Sequence, residues 1–103
     1  MTTIIPYADH ATLPAWTRAV WVDGKVQPSE LPRWSAPFDP PAVGAAIVVT
    51  MNGCGPAVVT GYFTQEGWLG VRCRLLDPPA WHVKQNNGNP NGHVFGAEFK
   101  LAD

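Results

Sequence analysis

Residues 43–76, VGAAIVVTMNGCGPAVVTGYFTQEGWLGVRCRLL, decide the fold of this chain. Two alternating apolar stretches and a third are joined by Asn52-Gly53-Cys54-Gly55-Pro56 and by Gln65-Glu66-Gly67. Apolar residues at every second position, broken by glycine-bearing bends, predict a three-stranded antiparallel meander. In the first stretch Ala45, Ile47, Val49 and Met51 share one face, with Ala46, Val48 and Thr50 on the other. In the second, Val59, Gly61 and Phe63 oppose Val58, Thr60, Tyr62 and Thr64; in the third, Leu69, Val71, Cys73 and Leu75 oppose Trp68, Gly70, Arg72 and Arg74. The third is the cleanest half-buried strand of the chain.

C-terminal to the meander, Asp77-Pro78-Pro79 ends the strand and Asn86-Asn87-Gly88-Asn89-Pro90-Asn91-Gly92 predicts a mobile loop. Phe95, Ala97, Phe99 and Leu101 against Gly96, Glu98 and Lys100 predict a last strand. On the N-terminal side the texture changes, with seven of the 11 prolines and three of the five tryptophans in the first 41 residues. One hairpin stands out there: Arg18 to Val22, a favoured Asp23-Gly24 turn, and a return through Lys25-Val26-Gln27. The remainder of residues 1–42 reads as a proline-rich arm. Pro28-Ser29-Glu30-Leu31-Pro32 offers one helical turn, and Pro37 to Pro41 is extended because residues before proline avoid the helical region. A chain of 103 residues has material for one core, so residues 1–103 form a single domain, with the arm over 1–42 and a β-barrel core over 43–103.

Five or six short strands with glycine at the bends predict an all-β fold, a strongly curved antiparallel sheet closing into a small barrel, since a flat sheet of this size leaves its apolar face uncovered. Gly55-Pro56-Ala57-Val58-Val59-Thr60-Gly61-Tyr62, set between two strands, resembles the strand-turn-strand element of KOW-type and other SH3-like small barrels over about thirty residues. Such barrels bind proline-rich peptides, modified tails, RNA or other protein domains. The resemblance therefore implies binding more than chemistry.

Seven basic and eight acidic residues give a formal net charge of −1, and 15% charged residues is well below the roughly 25% of ordinary globular chains. Neither part of the chain is basic: residues 1–43 hold three basic and four acidic groups, and residues 44–103 hold four of each. Nonspecific duplex binding draws its affinity from phosphate neutralisation and is disfavoured. KOW-type nucleic-acid binders carry surplus basic residues that this chain lacks. Met1-Thr2-Thr3-Ile4-Ile5-Pro6 has neither the basic start nor the apolar run of a secretion signal, and no apolar run approaches the roughly 20 residues of a membrane span. The expectation is a soluble, cytoplasmic protein with no membrane partner. Two cysteines are too few for a disulfide framework, so reduced thiols are expected, Cys54 exposed in a turn and Cys73 on an apolar strand face.

The catalytic patterns fail one by one. Cys54 in its hairpin turn has neither a helix N-terminus nor a fixed cation to lower its pKa. Gly53 and Gly55 begin a dinucleotide-type pattern, but Val58 stands at the third glycine position and a strand follows where a helix is required. His10, His82, His93, Cys54 and Cys73 lack the close paired spacing of zinc ligands. Asp77 and Glu98 do not form a carboxylate pair. No catalytic residue, metal or cofactor is expected.

Binding is better served. Trp68, Arg72 and Arg74 point the same way on the third strand, and Tyr62 and Thr60 are expected beside them from the second; Trp, Tyr and Arg are the residue types enriched at interaction hot spots. The competing structural role is that the N-terminal arm covers this face with Trp16, Trp21 or Trp34, the arginines stacking on those rings. A second candidate is the loop bearing Trp81 as anchor with His82, Lys84 and Gln85 as polar rim, unless Trp81 only plugs a barrel end. Function then divides three ways. A non-enzymatic module recognises another protein, as a regulator or inhibitor that masks its partner. Alternatively, Trp68 and Tyr62 stack bases of single-stranded nucleic acid while Arg72 and Arg74 meet phosphates. The third reading is an oligomeric barrel with a pore-type active site. The chain is expected to be a monomer or small homo-oligomer, and its balance of charge favours the protein partner.

Overall fold

Short strands punctuated by proline and glycine make up most of the regular structure in the computed structural model, which describes residues 4–102. Met1, Thr2 and Thr3, used above in reading the N-terminus, and Asp103 lie outside the described residues. In chain order the strands are β1 (Ile5–Tyr7), β2 (Thr17–Arg18), β3 (Trp21–Val22), β4 (Lys25–Val26), β5 (Arg33–Trp34), β6 (Ala46–Val49), β7 (Gly55–Gln65) and β8 (Trp68–Leu75). Helix α1 (Ala80–Gln85) follows, then β9 (Asn91–Phe95), a 3-10 turn over Gly96–Glu98, and β10 (Phe99–Leu101). Among the described residues no helix is long and apolar enough to cross a membrane.

The meander forms as its alternation predicts: β6 pairs antiparallel with β7, and β7 with β8. The β7–β8 turn places Glu66 at φ 52° and Gly67 at φ 81°, both left-handed, as a two-residue hairpin turn requires. Asp23 and Gly24 do the same between β3 and β4, which pair as the sequence implies but as a separate two-stranded sheet. The two long strands each serve two neighbours along one edge. β7 takes β6 along Gly55–Val58 and β1 along Tyr62–Thr64, while β8 takes β9 along Gly70–Arg74 and β5 at Trp68. The main sheet runs β10-β6-β7-β8-β5-β2, with β1 and β9 off this path. The path is open: β10 and β2 end it without pairing to each other, so backbone hydrogen bonds do not close the expected barrel.

The N-terminal third is no outlying arm. β1 joins β7, β2 and β5 pair in parallel, and β5 reaches β8. Trp34 is 1% exposed, packed against Phe38 and Phe99, and its Nε1–H donates to the Phe38 carbonyl at 2.6 Å. Arg18 clamps the same segment through the carbonyls of Ala36 and Phe38 and an ion pair with Asp39. Proline removes backbone donors but leaves two-residue pairings between prolines open, and a buried tryptophan rewards them. The radius of gyration, 13.8 Å, agrees with a chain folded on itself, about 13 Å for 100 residues.

The expected last strand is broken in two. Gly96 lies against Ala36, where a Cβ would meet the Ala36 nitrogen at 2.7 Å, and the Glu98 carboxylate accepts the Phe95 N–H at 2.8 Å to cap the 3-10 turn. The Trp81-bearing segment expected as loop is helical, because Pro78-Pro79 terminates a strand and is equally suited to start a helix, and the loop expected over residues 86–92 ends early, with Asn91 and Gly92 already in β9.

One irregularity governs the site. The β7–β8 register shifts between Val59 and Gly61, leaving Thr60 as an extra, bulged residue. Beyond it the alternation inverts, so Tyr62, with Val59, enters the core. There the Tyr62 hydroxyl donates to the Pro41 carbonyl at 2.6 Å. Tyr62→Phe removes that donor from a buried carbonyl and is expected to lower the unfolding free energy by about 1–2 kcal/mol in a urea titration, with the fold unchanged.

Candidate binding face

The β8 side chains that alternate away from the Leu69, Val71 and Cys73 core belong to Trp68, Arg72 and Arg74, with Gly70 between them. That part of the expected face is in place. At one end the Arg33 guanidinium lies 4.8 Å from the Trp68 ring centroid, held by the carbonyls of Gly67 and Gln27. The Trp21 ring of the β3–β4 hairpin stands 6.3 Å from Trp68, tilted by 31°. The competing structural role is therefore partly realised, but by Trp21 rather than Trp16 or Trp34, and by Arg33 rather than Arg72 or Arg74. Beside this stack Val20, Trp21 and Val22 are 57%, 59% and 51% exposed.

In the middle of the face the Phe63 ring covers Gly70 and meets His93 and Phe95, with centroids 5.0 and 5.2 Å away. Arg72 sits opposite Gly61 on one side and His93 on the other. Burial, and then the Arg72 cation, push the His93 pKa down, which keeps that imidazole neutral at pH 7. Arg74 is exposed at the far end, opposite Asn91.

Of the two residues expected from β7, Thr60 is exposed at the bulge, whereas Tyr62 does not join the face at all. The bulge reverses its direction. Trp81, His82 and Lys84 lie on α1, which follows the end of β8 remote from Trp68. Trp81 and Lys84 are exposed, while His82 is buried rather than part of a polar rim. Trp81 and His82 border a cavity of about 380 Å³ that Cys54 and Cys73 also line.

Cys54 is buried, not exposed: the 3-10 turn Met51–Gly53 tucks it inward, its N–H donating to the Met51 carbonyl at 3.2 Å. Burial raises the pKa of both thiols, that of Cys73 to about 11 with Cys54 adding to the effect, so both are protonated at neutral pH. Among the described residues no three of His, Cys, Asp and Glu come together to hold a metal.

The face offers flat apolar rings edged by guanidinium groups, which is equipment for contact. Sequence reasoning passed over Val20, Trp21 and Arg33 as site residues. For the first two a signal exists: three consecutive apolar residues on a hairpin too short to have a buried side. Arg33 carries none, since its partner turn lies 34 residues away. No known protein family matches the chain, nor does any curated protein or solved structure.

Proposed function

We propose that the chain is a non-enzymatic binding module that recognises another protein through Trp21, Trp68 and Arg33, with Val20 and Val22 beside them and Arg72 and Arg74 along the rim. It acts as a regulator or inhibitor does, by masking its partner. The carrying observation is the run Val20-Trp21-Val22, each residue more than half exposed, next to the Trp68–Arg33 stack. Single exposed apolar residues are ordinary, but contiguous ones rimmed by polar groups mark interaction sites. The residue types are those of hot spots. The small-barrel reading has its own support: β9 is followed by a single 3-10 turn and β10, which pairs back to β6, bringing the first and last strands of the meander region together as closure of a small barrel needs.

The nucleic-acid reading loses one of the two stacking platforms expected for it and keeps the other only in part. Tyr62 is internal, and Arg33 already occupies a face of Trp68. With a net charge of −1, little phosphate neutralisation is available to compensate.

A photo-crosslinking benzophenone residue at position 21 tests the proposal in extract of the native host. A discrete protein adduct is expected, competed by wild-type protein but not by the Val20→Asp/Val22→Asp variant, whose folding should be unaltered because both side chains are exposed. Absence of an adduct, together with salt-sensitive quenching of tryptophan fluorescence by oligo(dT) or oligo(U), would reject the protein partner. An adduct of twice the chain mass would make the partner a second copy.

A further inference from the structure

We infer that the cavity between α1 and the adjoining ends of β8 and β9 is a binding site for a small, uncharged heteroaromatic molecule of one or two rings. Its volume, about 380 Å³, lies at the low end of the roughly 300–1,000 Å³ range of small-molecule sites. Trp81, Leu75 and Val94 supply apolar wall, and Asn52, Asn86 and Asn91 supply amides that both donate and accept. Among the described residues no Asp, Glu, Lys or Arg lines it. A charged ligand would give up its hydration without meeting a counter-charge, so the lining selects a neutral one.

His82 is the second, independent observation. It is 8% exposed, forms part of the cavity wall, and its Nδ1 has no hydrogen-bond partner among the described residues. Buried polar atoms in folded proteins are nearly always paired, and an exception calls for an unseen partner. An imidazole Nδ1 accepts from a ring N–H in one tautomer and donates to a ring nitrogen in the other, and heteroaromatics carry both groups on their edge. The Trp81 ring, 5.5 Å from that of His82 and inclined at 70° to it, offers an aromatic surface beside the imidazole. Asn86 is fixed against the same turn, its side-chain amide donating to the His82 carbonyl at 2.9 Å. Cys54 and Cys73, both protonated, contribute polarizable wall rather than a nucleophile, so binding is noncovalent. The site lies at the opposite end of β8 from Trp68 and meets the protein-binding face at His93, which belongs to both.

Benzimidazole, adenine and indole titrated into the full chain, followed by amide signals of Gly92 and Val94 and the indole N–H of Trp81, test the site. A saturable shift confined to cavity residues is expected for at least one of the three. His82→Leu should weaken that binding at least tenfold while raising Tm, because an apolar side chain replaces an unpaired nitrogen; a His82 that serves only packing would leave affinity unchanged. Gly92→Val should abolish binding with the fold kept. Among the described residues a Cβ there meets only the Cys73 Sγ, at an ordinary 3.6 Å, and because Gly92 lines the cavity a valine should take up part of its space. Should Gly92→Val not fold, His82→Leu carries the test. No saturable shift from any of the three, undiminished binding by folded Gly92→Val, or a preference for benzoate over benzimidazole would each overturn the inference.

Discussion

Trp34→Ala is expected to lower the unfolding free energy by about 3–5 kcal/mol, the cost of emptying a large aromatic site in a packed core. Small domains hold about 5–15 kcal/mol in total, so much of the variant should be unfolded in low urea. The ring is 1% exposed and sits in a triad, 6.3 Å from Phe38 and 6.0 Å from Phe99, which are themselves 5.4 Å apart. Phe38 comes from the proline-rich segment and Phe99 from β10, so Trp34 ties the N-terminal third to the far end of the sheet path. Its Nε1–H bond to Phe38 adds a smaller contribution, which Trp34→Phe isolates at about 1 kcal/mol. Urea titration followed by far-UV circular dichroism reads both. A loss below about 1 kcal/mol for Trp34→Ala would return residues 1–42 to the status of an appendage whose removal leaves the core intact.

The meander was legible because two signals agreed over many residues: apolar alternation, and glycine where left-handed turns are required. Trp68, Arg72 and Arg74 were legible for the same reason, being the odd-phase positions of one regular strand. Tyr62 was not. From Val58 to Phe63 both phases are apolar or small, so alternation alone cannot say where it inverts. What decides is distant: the chain after β1 crosses at Gly61, where a Cβ would lie 2.8 Å from the Tyr7 carbonyl, and the bulge beside it resets the phase. The N-terminal third failed for a related reason. Its strands are two or three residues long, too short for any period, and their partners are remote in sequence. The composition suggested an arm, and packing of Trp34 and Trp21 overrode it. His82 was misplaced because six residues of helix after two prolines leave almost the same trace in sequence as a loop.

Gly70→Ala is the second large effect, and its sign is the informative part. In a strand interior, alanine ordinarily stabilises relative to glycine by roughly 0.5–1 kcal/mol because the unfolded chain loses less freedom on folding. Here a Cβ would stand 2.4 Å from Phe63 Cε1 and 2.6 Å from the Val94 carbonyl oxygen. The ring has nowhere to retreat, since Phe63 is 1% exposed and hemmed in by His93 and Phe95. The carbonyl belongs to β9, which is paired to β8 at this point. Overpacking of this kind costs about 1–3 kcal/mol, and displacement of a buried ring adds to it, so a loss of about 3 kcal/mol or more is expected in urea. Because the same rings back the face that carries Trp68, the Trp21 crosslink should weaken with it. The cause can be isolated by a cycle with Phe63→Ala: if the ring is what glycine accommodates, the double variant is more stable than the sum of the single losses allows, by about 1 kcal/mol or more. The rescue stays incomplete because the Val94 carbonyl remains. Strict additivity would instead mean that Gly70 is required by the approach of β9, and that Phe63 covers it only because the space is there.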